Sequence, residues 1–141
     1  MADMKNIELF DLYTGCTLNL LYENFPVCID LDLPKEIKKI TSTKHTDKEL
    51  LVFSETLFWL EDSGYIKFEK PEKRAISLAG LQPFPYFTCT TLTTKGLSIL
   101  KKIPDSIDND KNIAQELKEA ISNNLSSRIS DIVNIALDIY S

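Results

Sequence analysis

Histidine is almost missing from this chain of 141 residues, with His45 alone, and the four glycines are scattered. One histidine excludes a histidine-pair metal site. Dispersed glycines leave no phosphate-cradling loop, dinucleotide fingerprint or Gly-x-Ser-x-Gly element. Cysteine is also scarce: Cys16, Cys28 and Cys89 are odd in number, widely spaced and set in apolar stretches. They read as small buried hydrophobes rather than a disulfide framework, which suits a reducing cytoplasm. A zinc site drawn from these three and His45 would lack the close ligand pair that anchors such sites. Basic residues are outnumbered, 16 against 21 acids, for a formal charge of −5, so bulk positive charge does not suit this chain to coating nucleic acid. No long hydrophobic run occurs either. The most apolar segment, Leu50 to Leu60, contains Ser54, Glu55 and Thr56 and is too short to span a bilayer, and Asp3, Lys5, Glu8 and Asp11 interrupt any signal-like start. Arg128 is the sole base near the last apolar stripe, which disfavours adsorption to a membrane.

The carboxylate pairs Glu61–Asp62 and Asp108/Asp110 have no neighbour that would tune an acid and a base apart, and they read as solvated helix ends. No catalytic residue, metal ligand or cofactor is therefore expected, and the chain reads as non-enzymatic. What is present is an ordinary globular composition, 43% hydrophobic and 26% charged, in a length suited to one domain with an appendage.

Leu9, Leu12, Tyr13, Cys16 and Leu20 recur at helical spacing and predict a first helix over residues 7–25, weakened at Thr14-Gly15. An extended piece follows around Val27 to Leu31. Pro34 then suits the first turn of a short helix, with Leu33, Ile37 and Ile40 on one stripe and Lys35, Lys38 and Lys39 facing water. Thr46-Asp47-Lys48-Glu49 is a capping box that starts a third helix near Asp47, and Gly64 suits its end. Tyr65 to Glu69 alternates as a strand, followed by the charged turn Lys70 to Arg74. Its partner is either Ala75 to Ala79 or Tyr86 to Leu92, and the prolines in Gly80 to Pro85 argue against regular structure there. Thr93 caps a fourth helix to Ile103. Two further helical patterns, turning near Asn123-Asn124, predict a C-terminal helical hairpin with an apolar stripe of Leu125, Ile129, Ile132 and Ile139. The fold class is thus α+β and mostly helical, with a small β-hairpin or sheet.

This order of elements resembles the winged-helix superfamily from about Ile7 to Ile103. LFWLEDSGYIKFE, residues 57–69, resembles a third helix entering the wing, and LTTKGLSILKKIP, residues 92–104, a wing strand running into a short helix. The resemblance implies a winged-helix-like domain at 1–104, a helical extension at 105–141, and a third helix that enters the DNA major groove.

The chemistry of that helix points elsewhere. Lys48, Glu55 and Asp62 share one strip, and leucines and aromatics surround the rest. A base-reading face needs Arg, Asn or Gln and phosphate-binding cations, whereas carboxylates repel the duplex. Burial on more than one side, by the domain core and by something else, either the last two helices or a second subunit, is the expectation. Val52 and Trp59, with Leu125, Ile129, Ile132 and Ile139, become candidate contacts for a dimer or another protein. The alternative is DNA. Residues 35–74 carry nine bases and eight acids, against one and six in 1–34 and six and seven in 75–141. Lys35, Lys38, Lys39, Lys44, Lys48, Lys70, Lys73 and Arg74 are the candidate backbone contacts, although such lysines also serve as an ordinary solvated face.

Overall fold

The computed structural model describes residues 5–41, 46–69, 76–77, 80–81, 85–103 and 111–138. Among them the fold is mostly helical, with a small antiparallel sheet. In chain order the elements are α1 (Asn6–Asn24), β1 (Ile29–Asp32), α2 (Leu33–Thr41), α3 (Asp47–Asp62), β2 (Ile66–Glu69), β3 (Ile76–Ser77), β4 (Gly80–Leu81), β5 (Tyr86–Leu92), α4 (Thr94–Lys101), α5 (Ile113–Ser122) and α6 (Ser126–Asp138).

Local chemistry sets the helix starts. The Thr46 hydroxyl accepts from the Glu49 amide at 3.1 Å while the Glu49 carboxylate accepts from the Thr46 amide at 2.9 Å, the reciprocal box expected. Asn112 and Gln115 make the same exchange at 2.8 Å in each direction for α5. The Thr93 hydroxyl accepts from the Gly96 amide at 3.1 Å and starts α4, which ends at Lys101, two residues short of the Ile103 expected.

Strand β5 is the centre of a three-stranded sheet of order β1-β5-β2, antiparallel throughout, so Tyr86 to Leu92 is the partner of β2. Residues 76–77 pair with 80–81 as a separate two-stranded piece. Gly80 and Leu81 are therefore extended and paired, contrary to expectation, because the prolines that bar ladder bonding begin only at Pro83.

Helix α1 runs through the middle of the molecule. Tyr13, Leu18 and Leu21 are buried along it, with the Tyr13 ring stacked on Phe53 of α3 at 4.3 Å between centroids. On its other side α1 meets the α5–α6 hairpin. Gly15, which reads from sequence as a weak point, lets them approach closely: a Cβ there would stand 2.6 Å from Ile129 Cγ2 and 3.2 Å from Val133 Cγ2. The Ser130 hydroxyl of α6 donates to the buried Asp11 carboxylate of α1. The hairpin is itself joined by Arg128, which donates to Glu116 at 3.2 Å.

Two expectations are corrected by this packing. The last two helices cover α1 rather than α3. Ile129 and Ile132 are accordingly buried in the chain's own core, at 3% and 0% exposure, and are not surface contacts. An apolar stripe announces that something covers it and does not say which helix does so.

The cysteines require a third correction. Cys28 and Cys89 form a disulfide between the approach to β1 and the middle of β5, and Cys16 alone is a free thiol. Backbone hydrogen bonding brings the two together: β1 pairs β5 with a register shift between Ile29 and Leu31, and Cys89 takes a positive φ of 50° there. The Asp30 carboxylate holds this irregular stretch by accepting from the Cys89 amide at 2.9 Å and the Tyr86 hydroxyl at 3.2 Å. That bond to Asp30 holds the Tyr86 proton and raises its pKa, with the Asp30 charge adding to the effect.

Candidate functional site

Helix α3 turns one face inward and another along α1. Phe53, Leu57 and Leu60 are fully or nearly buried, and Phe58 meets Phe68 and Phe87 of the sheet edge-on at 5.7 and 5.2 Å. The sheet and α1 therefore cover α3 from within the domain, and the last two helices, expected as a further cover, pack on α1 instead. A strip remains uncovered. Between α1 and α3 lies an open groove of about 680 Å³ whose walls include Ile7, Phe10, Val52, Glu55 and Trp59.

Trp59 is 44% exposed and Ile7 64% exposed, so large apolar surface faces water here. The indole is held on two sides. Phe10 meets it edge-to-face at 5.2 Å and 86°, and Tyr65 stacks at 6.2 Å and 26°. Tyr65 in turn lies beneath Lys95, whose Nζ is 4.4 Å from the ring centroid. A bulky aromatic fixed in this way loses little rotamer freedom when a partner covers it.

This geometry depends on a knot of hydrogen bonds at the end of α3. Three successive carbonyls there are satisfied from the start of α4: Ser63 by Lys95 Nζ at 2.9 Å, Gly64 by the Thr93 hydroxyl at 2.5 Å and Tyr65 by the Thr93 amide at 3.1 Å. Residues 57–69 and 92–103, far apart in the chain, meet at this point. Gly64 has φ +88°, the left-handed geometry that its place after α3 suggests.

Of the predicted contacts, Val52 and Trp59 line one groove. Leu125 is 49% exposed at the start of the α6 turn, and Ile139 lies outside the described residues. Of the cations, Lys35, Lys38, Lys39 and Lys48 are exposed, with Lys39 bonded to Glu36 at 3.3 Å. Lys44, Lys70, Lys73, Arg74 and His45 lie outside the described residues, as do Asp108 and Asp110. The Cys28–Cys89 bond occupies two of the four ligands that a zinc site would have required. Sequence reasoning missed the contribution of α1: its predicted stripe includes neither Ile7 nor Phe10, and only the crossing of α1 on α3 shows them beside Trp59.

Burial pushes the Cys16 thiol up to about 12, with the Glu36 charge adding to the effect, and burial likewise raises Tyr13. The unfolded chain releases the Cys16 proton near pH 9 and the folded chain keeps it to about 12. Stability linked to this group is therefore complete below pH 9 and falls as pH rises from there toward 12, by on the order of 1 kcal/mol per pH unit. Urea melts between pH 8 and 11 should show that decline, and Cys16→Ala should flatten it, leaving Tyr13 to act at the upper end.

Comparison of the chain with known protein families, with curated proteins and with solved structures finds no match. No described helix is long and apolar enough to cross a membrane.

Proposed function

We propose that this chain is a non-enzymatic, winged-helix-like module that self-associates, a second copy covering the α1–α3 groove. The observation that carries this reading is the half-exposed, pre-oriented Trp59 beside Val52, Phe10 and Ile7. The resemblance would place a DNA-reading surface on this helix. Its open strip instead presents apolar side chains with Glu55, and exposed Asp62 at its far end. A second copy suits the charges at the helix ends. Lys48 stands at the beginning of α3 and Asp62 at its finish, so two such helices laid antiparallel about a two-fold axis bring base toward acid there and Glu55 toward its own copy at the centre, a like-charge contact that weakens the association. The expected dissociation constant is of micromolar order.

Sedimentation equilibrium over roughly 5 to 500 µM should show a monomer–dimer equilibrium that Trp59→Glu shifts to monomer by more than tenfold. A monomer at every concentration, or a dimer indifferent to Trp59→Glu, overturns the proposal. The second reading, DNA-backbone contact, is favoured by the exposure of Lys35, Lys38, Lys39 and Lys48. It would take first place if duplex binding weakened steeply with salt and disappeared in Lys38→Glu with Lys48→Glu. The Cys28–Cys89 bond favours an oxidising compartment over the cytoplasm expected from cysteine content, because cytosolic thiols are kept reduced.

A further inference from the structure

On the side of α1 away from Trp59, α2 and the α5–α6 turn stand apart and leave a cavity of about 390 Å³. Its walls come from both halves of the chain, with Leu12 and Cys16 of α1, Leu31 of β1, Ile40 of α2, Phe53 of α3 and Ile129 of α6 among them. That volume lies within the range of small-molecule sites, and a mostly apolar lining with a few polar groups is their usual chemistry. From this cavity we infer a binding site for a small neutral aromatic compound with one hydrogen-bonding tip, of the indole or phenol class.

Three observations select that class. Phe53 and the aliphatic walls suit a flat apolar body. The charges at the site, Lys39 and Glu36, are bonded to each other at 3.3 Å, so neither sign is in excess to hold an ionic ligand. The Asn19 and Asn124 amides border the cavity and supply partners for a hydrogen-bonding tip, whereas the Thr17 hydroxyl, without a partner among the described residues, is sealed off from it. The thiol of Cys16, held protonated by its burial, adds a soft neutral wall rather than a nucleophile.

The site is independent of the α1–α3 groove, and the two stand or fall separately. Indole is the probe and octanoate the charged comparison, each titrated into the full-length oxidised protein and followed by amide chemical shifts. The expected result is saturable indole binding with a dissociation constant on the order of 10⁻⁴ M. Shifts should centre on Cys16, Leu31, Ile40 and Ile129, and octanoate should bind at least fivefold more weakly. Cys16→Trp fills the cavity and should reduce indole affinity at least tenfold, and Ile40→Trp, from the other wall, should do the same. Melting curves report which variant folds, and the wild-type shift map decides if neither does. The inference is overturned by no saturation up to the solubility of indole, by shifts centred on Ile7, Val52 and Trp59, by octanoate binding as tightly as indole, or by undiminished binding in a folded filled variant.

Discussion

Gly96→Ala is expected to destabilise the fold by about 3–5 kcal/mol or prevent its formation altogether. A Cβ at residue 96 would stand 2.1 Å from the carbonyl oxygen of Tyr65 and 3.1 Å from its carbonyl carbon. Both atoms are backbone, so no side-chain rotation relieves the clash, and α4 would have to lift away from β2. Lifting it breaks the knot at the end of α3, where Thr93 and Lys95 satisfy three successive carbonyls. It also disturbs Tyr65, on which the Trp59 ring rests. Chemical denaturation should show a lower midpoint, and tryptophan fluorescence should report a changed setting for Trp59. Gly15→Ala provides a scale for comparison, because the obstructing atoms there belong to the side chains of Ile129, Val133 and Leu117, which can yield. Its expected cost is smaller, about 1–3 kcal/mol.

Reduction of the Cys28–Cys89 bond is the second large effect. The bond closes a stretch with a sequence separation of 61, and the chain-entropy model assigns a loop of that size about 4 kcal/mol of stabilisation. Reductant, or Cys28→Ser together with Cys89→Ser, should therefore lower the unfolding free energy by several kcal/mol. The loss should appear as a lower melting temperature in differential scanning calorimetry. An unchanged melt in reductant would show that the Asp30 hydrogen bonds and the β1–β5 ladder hold the sheet without the cross-link.

These two positions also mark where the sequence becomes hard to read. Helix starts are legible because their chemistry is local. Thr46 and Glu49 identify the start of α3 within four residues, Thr93 does so for α4, and Pro34 fits the first turn of α2. Strand pairing is decided by residues far apart, so β5 could not be preferred over Ala75 to Ala79 as partner of β2. The pairing of Cys28 with Cys89 follows from the β1–β5 register and was illegible for the same reason. The groove had a partial signal: Val52 and Trp59 stood out as large apolar residues on a helix too greasy for a duplex. Their neighbours Ile7 and Phe10 become visible only once α1 crosses α3. Ile129 and Ile132 show the reverse case, in which a stripe that suggests an interface between subunits is used inside one.

The central position of α1 carries a consequence for biosynthesis. Its Asp11 is joined to Ser130 across 119 positions, and its Gly15 face is closed by Ile129 and Val133. At about 5–20 residues per second, a ribosome needs roughly 6–24 s to travel between those segments. Throughout that interval the nascent helix exposes the surface meant for α6, which makes it a target for holdase chaperones. Slowing translation late in the message should lengthen this vulnerable window and increase aggregation, without altering a single contact of the finished molecule.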